Sequence, residues 1–182
     1  MRNCSRVASR FAQTGRSMIE MLGVLAIIGV LSVGGIAGYS KAMMKYRTNK
    51  TIEQVTMIAT NIRTLFANQN NFYGLDDQYT GETNISLITK AKIVPEEMIT
   101  NDGLKNVFGG DVFIRGDLNG FEIRMRGIPQ EACITLMTQD WGNGKPHDVS
   151  EATNICSREH NNIQWNFEGG SESGSVGREE LK

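Results

Sequence analysis

The most prominent feature of the chain is a long apolar segment near its beginning. Met21 to Ser40 form a run of twenty residues without a charged side chain. At a rise of about 1.5 Å per residue, a helix of this length spans about 30 Å, which is the thickness of the hydrocarbon core of a bilayer. The pattern therefore predicts a membrane-spanning helix over residues 16–40.

Beyond this segment, hydrophobic positions continue to recur at helical spacing. Apolar residues three or four positions apart form one stripe along a helix, and most polar side chains fall outside it. The stripe consists of Ile52, Val55, Ile58, Ala59, Ile62, Leu65 and Phe66. We therefore predict one helix from Ser17 to about Asn70, roughly 80 Å long. Its amphipathic half would pack on a globular domain.

Two later segments alternate between apolar and polar side chains, as half-buried strands do. Residues 121–125 alternate in this way, and together with residues 111–115 they predict a β-hairpin with a turn at Asn119-Gly120. Residues 163–167 alternate similarly and predict a further strand. Helix and strands together predict an α+β fold, in which the long helix packs on a small antiparallel sheet.

Short helices are predicted between these strands. Thr83 or Asn84 can cap one helical turn, and Pro95 precedes two acidic residues in a typical helix start. Residues 129–140 carry apolar side chains at helical spacing, although a strand over residues 133–138 is the alternative.

The end of the chain differs in composition from the part before it. Residues 168–182 are rich in Gly, Ser and Glu and contain too few apolar side chains to bury, so we predict a flexible tail. Residues 41–167 then form the globular head, which includes the amphipathic half of the long helix.

Composition and charge limit the function. Of 182 residues, 40% are hydrophobic and 21% are charged, as in an ordinary globular domain, and the formal net charge is −1. The basic residues are not gathered on one face, so no nucleic-acid site is predicted. Phosphate-binding glycine motifs and zinc-type cysteine pairs do not occur. The sequence therefore predicts a non-enzymatic protein without cofactor or metal.

Two cysteines lie in the predicted head, Cys133 and Cys156. A disulfide between them would stabilise the fold by roughly 3 kcal/mol and indicate an oxidising compartment. Two unconnected buried thiols are the alternative. A thiol nucleophile with His147 or His160 as base is also conceivable, but disulfide formation would exclude it.

The residues before the apolar segment are basic. Residues 1–15 contain three arginines and no acidic residue. A secretory signal would continue with a shorter apolar core and a small-residue cleavage site, which this chain lacks. Any cleavage would therefore precede the apolar segment, on its cytoplasmic side. Basic residues flank both ends of the segment, so charge alone does not fix its orientation.

Gly15 and Glu20 refine this interpretation. A small residue, followed five positions later by a glutamate at the edge of a long apolar run, resembles the class III signal sequence of type IV pilins. The resemblance implies that a prepilin peptidase cuts after Gly15, removing residues 1–15, and that the new N-terminus is methylated. It also implies that Glu20 pairs with the terminal amine of a neighbouring subunit. Arg16, the first mature residue, departs from the large apolar residue usual in the family.

The helix and head extend the resemblance. Many type IV pilins carry a proline where this helix loosens in the filament; this chain has none, and Gly34-Gly35 are predicted to supply that flexibility. Residues 103–114, the cysteine pair and the strand at residues 165–167 look like the head of type IVb pilins, as does the fifteen-residue leader.

The resemblance implies a major structural subunit of a type IVb-like pilus. Such a subunit is held in lipid in the bacterial inner membrane with its head outside the cytoplasm. An assembly platform then polymerises it with copies of itself into an extracellular filament for adhesion, motility or functions related to DNA or phage. A minor pilin or a type II secretion pseudopilin shares the same signal. A signal-anchored membrane protein with a binding domain is a more distant alternative.

Overall fold

A computed structural model describes residues 18–76, 82–142, 146–168 and 176–178 of the chain. The chain divides into two compact units, residues 1–42 and residues 43–182. A single helix, α1 (Met18–Leu65), contains all described residues of the first unit and continues into the second. This confirms the predicted long helix, although it ends five residues earlier than expected.

The elements after α1 are short. They are α2 (Ile85–Lys90), a 3₁₀ turn (Glu96–Met98), β1 (Ile99–Thr100), β2 (Gly103–Leu104), β3 (Val112–Gly116), β4 (Gly120–Pro129), α3 (Gln130–Met137), α4 (Val149–Ile155), β5 (His160–Glu168) and β6 (Val176–Arg178). The hairpin, the strand near residue 165 and the helix after Pro129 are all confirmed. The alternative of a strand over residues 133–138 is wrong.

The main sheet is antiparallel, with the strand order β3-β4-β5-β6. In the hairpin Ile114 lies opposite Ile123, and Ile123 lies opposite Trp165 on β5. A separate pair of two-residue strands, β1 and β2, follows the 3₁₀ turn. The predicted α+β class, with a long helix and a small antiparallel sheet, is confirmed.

One hydrophobic core holds the second unit together. Alternation along the strands places one side chain in two on the inner face of the sheet. The buried apolar residues of the main sheet are Val112, Ile114, Phe121, Ile123, Met125, Ile128, Ile163, Trp165 and Phe167. The α1 stripe joins the same core through Val55, Ile58, Ala59, Ile62 and Phe66. Each large apolar side chain buried in this way stabilises the fold by about 1.5–3 kcal/mol.

Aromatic rings connect the end of α1 to the sheet. The ring centroids of Phe66 and Phe72 are 5.5 Å apart, those of Phe72 and Phe121 are 5.4 Å apart, and those of Phe121 and Phe167 are 5.0 Å apart. At the end of β3, the backbone of Phe72 passes so close that a Cβ at Gly116 would overlap its carbonyl oxygen. Only glycine fits there without a shift of the backbone.

Side chains cap the short helices. The Asn84 side chain accepts a hydrogen bond from the Leu87 amide at 3.1 Å, as predicted for a cap at this position. In the same way Asp148 accepts from the Glu151 amide at 2.9 Å at the start of α4. Pro95 precedes a 3₁₀ turn of three residues, where the sequence predicts a helix start.

A disulfide joins α3 to the end of α4. Cys133 and Cys156 are bonded, with their Cα atoms 5.8 Å apart, and both side chains are buried. The prediction of a disulfide is confirmed, and the alternative of two separate thiols is wrong. The bond therefore links α3 and α4, the two helices that lie between β4 and β5 in the chain.

The range predicted as a flexible tail, residues 168–182, includes two described parts, and the tail itself stays a prediction. Glu168 is the last residue of β5, and Val176–Arg178 form β6, which pairs with β5. Backbone pairing at a sheet edge needs no apolar side chains, so a composition poor in them does not exclude a strand. The other residues of the tail lie outside the described part of the chain.

Replacing both Cys133 and Cys156 by serine should lower the unfolding free energy of the head by about 3 kcal/mol, since the closed loop restricts the unfolded chain. Urea unfolding of the solubilised chain, followed by near-UV circular dichroism, measures this loss. The unsubstituted chain, measured in parallel, is the reference. Labelling of both head thiols in non-reduced protein would contradict the prediction.

Gly116→Ala should destabilise the head by about 1–3 kcal/mol, because the added methyl group forces β3 and the Phe72 backbone apart. The same unfolding measurement tests it. Gly29→Ala is the control, since a Cβ at Gly29 meets nothing within 4 Å. Equal midpoints for the two variants would show that Phe72 moves aside without cost.

Candidate functional site

The first half of α1 is the first candidate site, because its apolar side chains are exposed. An 18-residue window within α1 has a mean hydropathy of 2.2, and none of it is buried. Met18 is 84% exposed and Val30 is 76% exposed. This length and composition fit a membrane span, although a signal sequence meets the same criterion. A contiguous apolar surface of this kind marks an interaction with lipid or protein.

Glu20 lies in the first turn of α1, at the positive end of the helix dipole. It is exposed, and among the described residues no cation lies within ion-pair distance of its carboxylate. Gly15 and Arg16, predicted as the cleavage site, lie outside the described residues. The predicted contact of Glu20 with the terminal amine of a neighbouring subunit therefore stays a prediction.

Three glycines mark the middle of the same segment. The helix runs without interruption through Gly34, Gly35 and Gly38, and a Cβ at any of them would meet nothing within 4 Å. Gly34 and Gly38 are four residues apart, a spacing that lets helices approach closely in lipid. Each glycine also weakens a helix in water by about 1 kcal/mol relative to alanine. The role of Gly34-Gly35 in helix flexibility stays a prediction.

In the second unit, polar side chains attach α1 to the segment after α2. Asn61 Nδ2 donates to the carbonyl oxygen of Ile93 at 3.0 Å. Gln54 Nε2 donates to Glu97 Oε1 at 3.1 Å, and Lys50 Nζ lies 3.2 Å from the same oxygen. Hydrogen bonds from Gln54 and Lys50 lower the pKa of Glu97, and hydrogen bonds to Glu97 and Glu53 raise the pKa of Lys50.

Sequence reasoning missed this attachment. Thr51 and Gln54 are buried on the face of α1 that also carries Ile58. The buried Thr51 hydroxyl donates a hydrogen bond to the carbonyl oxygen of Arg47 at 3.0 Å, so its donor is satisfied within the helix. The four-residue spacing from Gln54 to Ile58 could have identified the position as inward-facing.

The structure excludes the thiol-nucleophile alternative. The sulfurs of Cys133 and Cys156 are bonded to each other, so neither is available as a thiolate. His147 Nδ1 lies 2.8 Å from Glu151 Oε2, near the start of α4, and His160 is exposed on β5. Among the described ranges, no group of three or more His, Cys, Asp or Glu side chains could hold a metal ion.

A small cavity lies between α1 and the residues that follow α3. It measures about 140 Å³, and Arg63, Trp141 and Phe167 are among its lining residues. The Arg63 guanidinium lies 5.4 Å from the centroid of the Phe167 ring. Pockets for small molecules usually measure about 300–1,000 Å³, so this cavity is too small for such a ligand.

Comparisons with known proteins agree with this arrangement. Residues 45–167 match the family model described as PilS N terminal. Two relatives are each named major structural subunit of bundle-forming pilus, one from Escherichia coli O111:H- and one from Escherichia coli O127:H6 (strain E2348/69 / EPEC). Each is 24% identical over 162 residues, which cover 84% of this chain and 80% of the relative. No solved structure matches the chain.

The matched range runs from Lys45 in α1 to Phe167 in β5, and so includes the amphipathic half of the helix, the β3–β4 hairpin and the disulfide. It covers more than half of the chain. The exposed apolar half of α1 precedes it. The chain therefore belongs to the PilS N-terminal family, a family of type IV pilins.

Proposed function

We propose that the chain is a structural subunit of a type IV pilus filament, of type IVb-like organisation. The observation that carries the proposal is one helix with two halves of different character: an exposed apolar half, and a half that packs its stripe into a folded head. The names of the relatives as major structural subunits support a major pilin over a tip or secretion component. The proposal assigns the chain no enzymatic activity.

Before assembly, the apolar segment at residues 16–40 holds the subunit in the inner membrane. A prepilin peptidase cuts after Gly15 on the cytoplasmic side, and the new terminus at Arg16 is methylated. The Cys133–Cys156 disulfide supports a head in an oxidising compartment, outside the cytoplasm. The apolar side chains of α1 contact lipid at this stage.

During assembly, a membrane platform adds subunits to the base of the filament, and the apolar halves of neighbouring helices replace lipid as contacts for one another. A repeated head-to-tail contact that does not close produces an open fibre. The Glu20 carboxylate then meets the terminal amine of a neighbouring Arg16. In a low dielectric such a charge pair is much stronger than in water.

Arg16 permits two versions of this contact. It precedes Glu20 by four residues, so its side chain can pair with Glu20 within one chain. Alternatively its side chain extends to the lipid phosphates and leaves Glu20 to the neighbour. Arg16→Phe tests whether the Arg16 side chain competes with the neighbour for Glu20: filament yield is maintained or rises if it competes, and falls if the side chain is itself part of the contact between subunits.

Surface filaments sheared from cells should contain this chain as their most abundant protein, with Arg16 as a methylated first residue. Mass spectrometry of the intact subunit and of its N-terminal peptide measures both. Filaments built from chains that retain Met1 would contradict the processing. A scarce chain in filaments made of another pilin would favour a tip or secretion component.

Glu20→Ala should lower the yield of sheared filaments by at least about tenfold, which corresponds to about 1.4 kcal/mol per assembly contact. The variant should still be processed, membrane-held and disulfide-bonded, because the head does not use Glu20. Glu53→Ala is the matched control, since its side chain is 61% exposed on the same helix within the head unit. Normal filament yield from Glu20→Ala would show that assembly does not need this carboxylate.

A further inference from the structure

The basic residues of α1 are concentrated just after its apolar segment. From Met21 to Ile52 the chain contains no acidic residue. The basic residues of the same range are Lys41, Lys45, Arg47 and Lys50. The formal net charge of the whole chain is only −1, so this local excess of positive charge is a property of the segment and not of the overall composition.

The fold accounts for one of these charges. Lys50 Nζ lies 3.2 Å from Glu97 Oε1, in the 3₁₀ turn of the head. The side chains of Lys41, Lys45 and Arg47 are exposed, and no carboxylate of the described ranges lies within ion-pair distance of any of them. We call these three residues the basic collar. Its charges are not explained by contacts within the described part of the head.

The basic collar lies at the depth of lipid headgroups when Met21 to Ser40 span a bilayer. The helix continues without a break through this region. At about 1.5 Å per residue, Lys41 is about 1.5 Å beyond Ser40, and Arg47 is about 10 Å beyond it. A headgroup layer adds about 5–8 Å to the hydrocarbon core on each side. Because lysine and arginine side chains extend their charged ends toward polar surroundings, all three charges reach the layer of lipid phosphates.

Two tyrosines accompany the basic collar. Tyr39 precedes it and is 66% exposed, and Tyr46 lies within it and is 64% exposed. Tyrosine is enriched at membrane–water interfaces, because its ring is apolar and its hydroxyl group binds water or headgroups. A little further along the helix, Thr48 and Thr51 are buried in the head. Charged and aromatic side chains thus mark the same short part of α1, directly after the apolar segment.

The basic collar opposes the orientation that is proposed for the chain. Cleavage after Gly15 leaves Arg16 as the basic residue before the apolar segment, while the collar lies outside the cytoplasm. Basic residues favour the cytoplasmic side of a span, so a negatively charged partner on the outer side would offset this preference. An anionic lipid surface is such a partner, because it attracts each nearby basic residue by about fivefold in binding.

We propose that the basic collar, together with Tyr39 and Tyr46, binds the headgroups of anionic phospholipids in the outer leaflet of the inner membrane. The ligand class is a phosphodiester lipid with a net negative charge, such as phosphatidylglycerol. This contact fixes the depth at which α1 leaves the bilayer, and with it the position of the subunit before assembly. The inference rests on the proposed function, because it needs the membrane-held stage.

Lipid selectivity tests the inference. The full-length chain is reconstituted into vesicles of phosphatidylcholine and phosphatidylglycerol that contain a trace of one of the two lipids, spin-labelled on its acyl chain. Electron paramagnetic resonance measures the fraction of each labelled lipid whose motion the protein restricts. The unsubstituted chain should prefer phosphatidylglycerol. Lys41→Gln, Lys45→Gln and Arg47→Gln together should lower this preference by at least about fivefold, the factor for a single basic residue at an anionic surface.

A matched control removes the same charge from the head outside α1. Lys90→Gln, Lys92→Gln and Arg158→Gln replace three exposed basic side chains and should leave the lipid preference unchanged. All variants keep the arginines before the apolar segment, so a difference between variants reports the substituted positions. An equal loss of preference in both sets would overturn the inference, because the effect would then follow total charge.

A charge-preserving variant separates headgroup binding from misfolding. Lys41→Arg, Lys45→Arg and Arg47→Lys together should keep the preference for phosphatidylglycerol, since each position remains basic. Near-UV circular dichroism of every variant checks that the head is folded. Loss of the preference in this variant, with a folded head, would overturn the inference.

The outcomes distinguish the inference from the proposed function. An unchanged lipid preference in the glutamine variant of the basic collar would overturn the inference and leave the proposed function intact. A fall in filament yield with unchanged lipid preference would overturn it as well and would assign the collar to contacts between subunits. A chain that alkaline carbonate removes from the vesicles would instead defeat the membrane stage of the proposed function.

Discussion

The packing of the α1 stripe against the inner face of the main sheet is the contact on which the head depends. The buried residues of the stripe and those of the alternating strands belong to one hydrophobic core. On the same helix, the buried Gln54 side chain donates a hydrogen bond to Glu97, and Lys50 forms an ion pair with the same carboxylate. The apolar side chains in the first half of the same helix are exposed. One helix therefore carries an exposed apolar half and a half whose apolar stripe is buried in the head.

Elements with a strong side-chain period could be predicted from the sequence. The spacing from Val55 to Ile62 specifies the buried face of α1, and the alternation of Ile123 with charged neighbours specifies β4. The predicted end of α1 at about Asn70 is too late: the helix ends at Leu65, and the Phe66 ring packs on Phe72 beyond it. Leu65 fits the spacing of the stripe but is 42% exposed.

Other features leave no such signal. The number of cysteines in the head is compatible with a disulfide between Cys133 and Cys156. The sequence does not show that their Cα atoms lie close enough to form it. The strand at Val176–Arg178 forms through backbone groups, which every sequence possesses, so composition alone suggests a tail. In the candidate site, Glu20 and the glycines of α1 are identified by their spacing, whereas the contact between Gln54 and Glu97 joins positions 43 residues apart.

The disulfide has a consequence for a protein displayed outside the cell. It closes a loop that contains α4, and its two cysteines are 23 positions apart. A protease that cuts one peptide bond between Ile134 and Ile155 therefore does not release β5, because the sulfur bridge still connects it to α3 and β4. The fragment keeps its place in the sheet, and the damage stays within the loop.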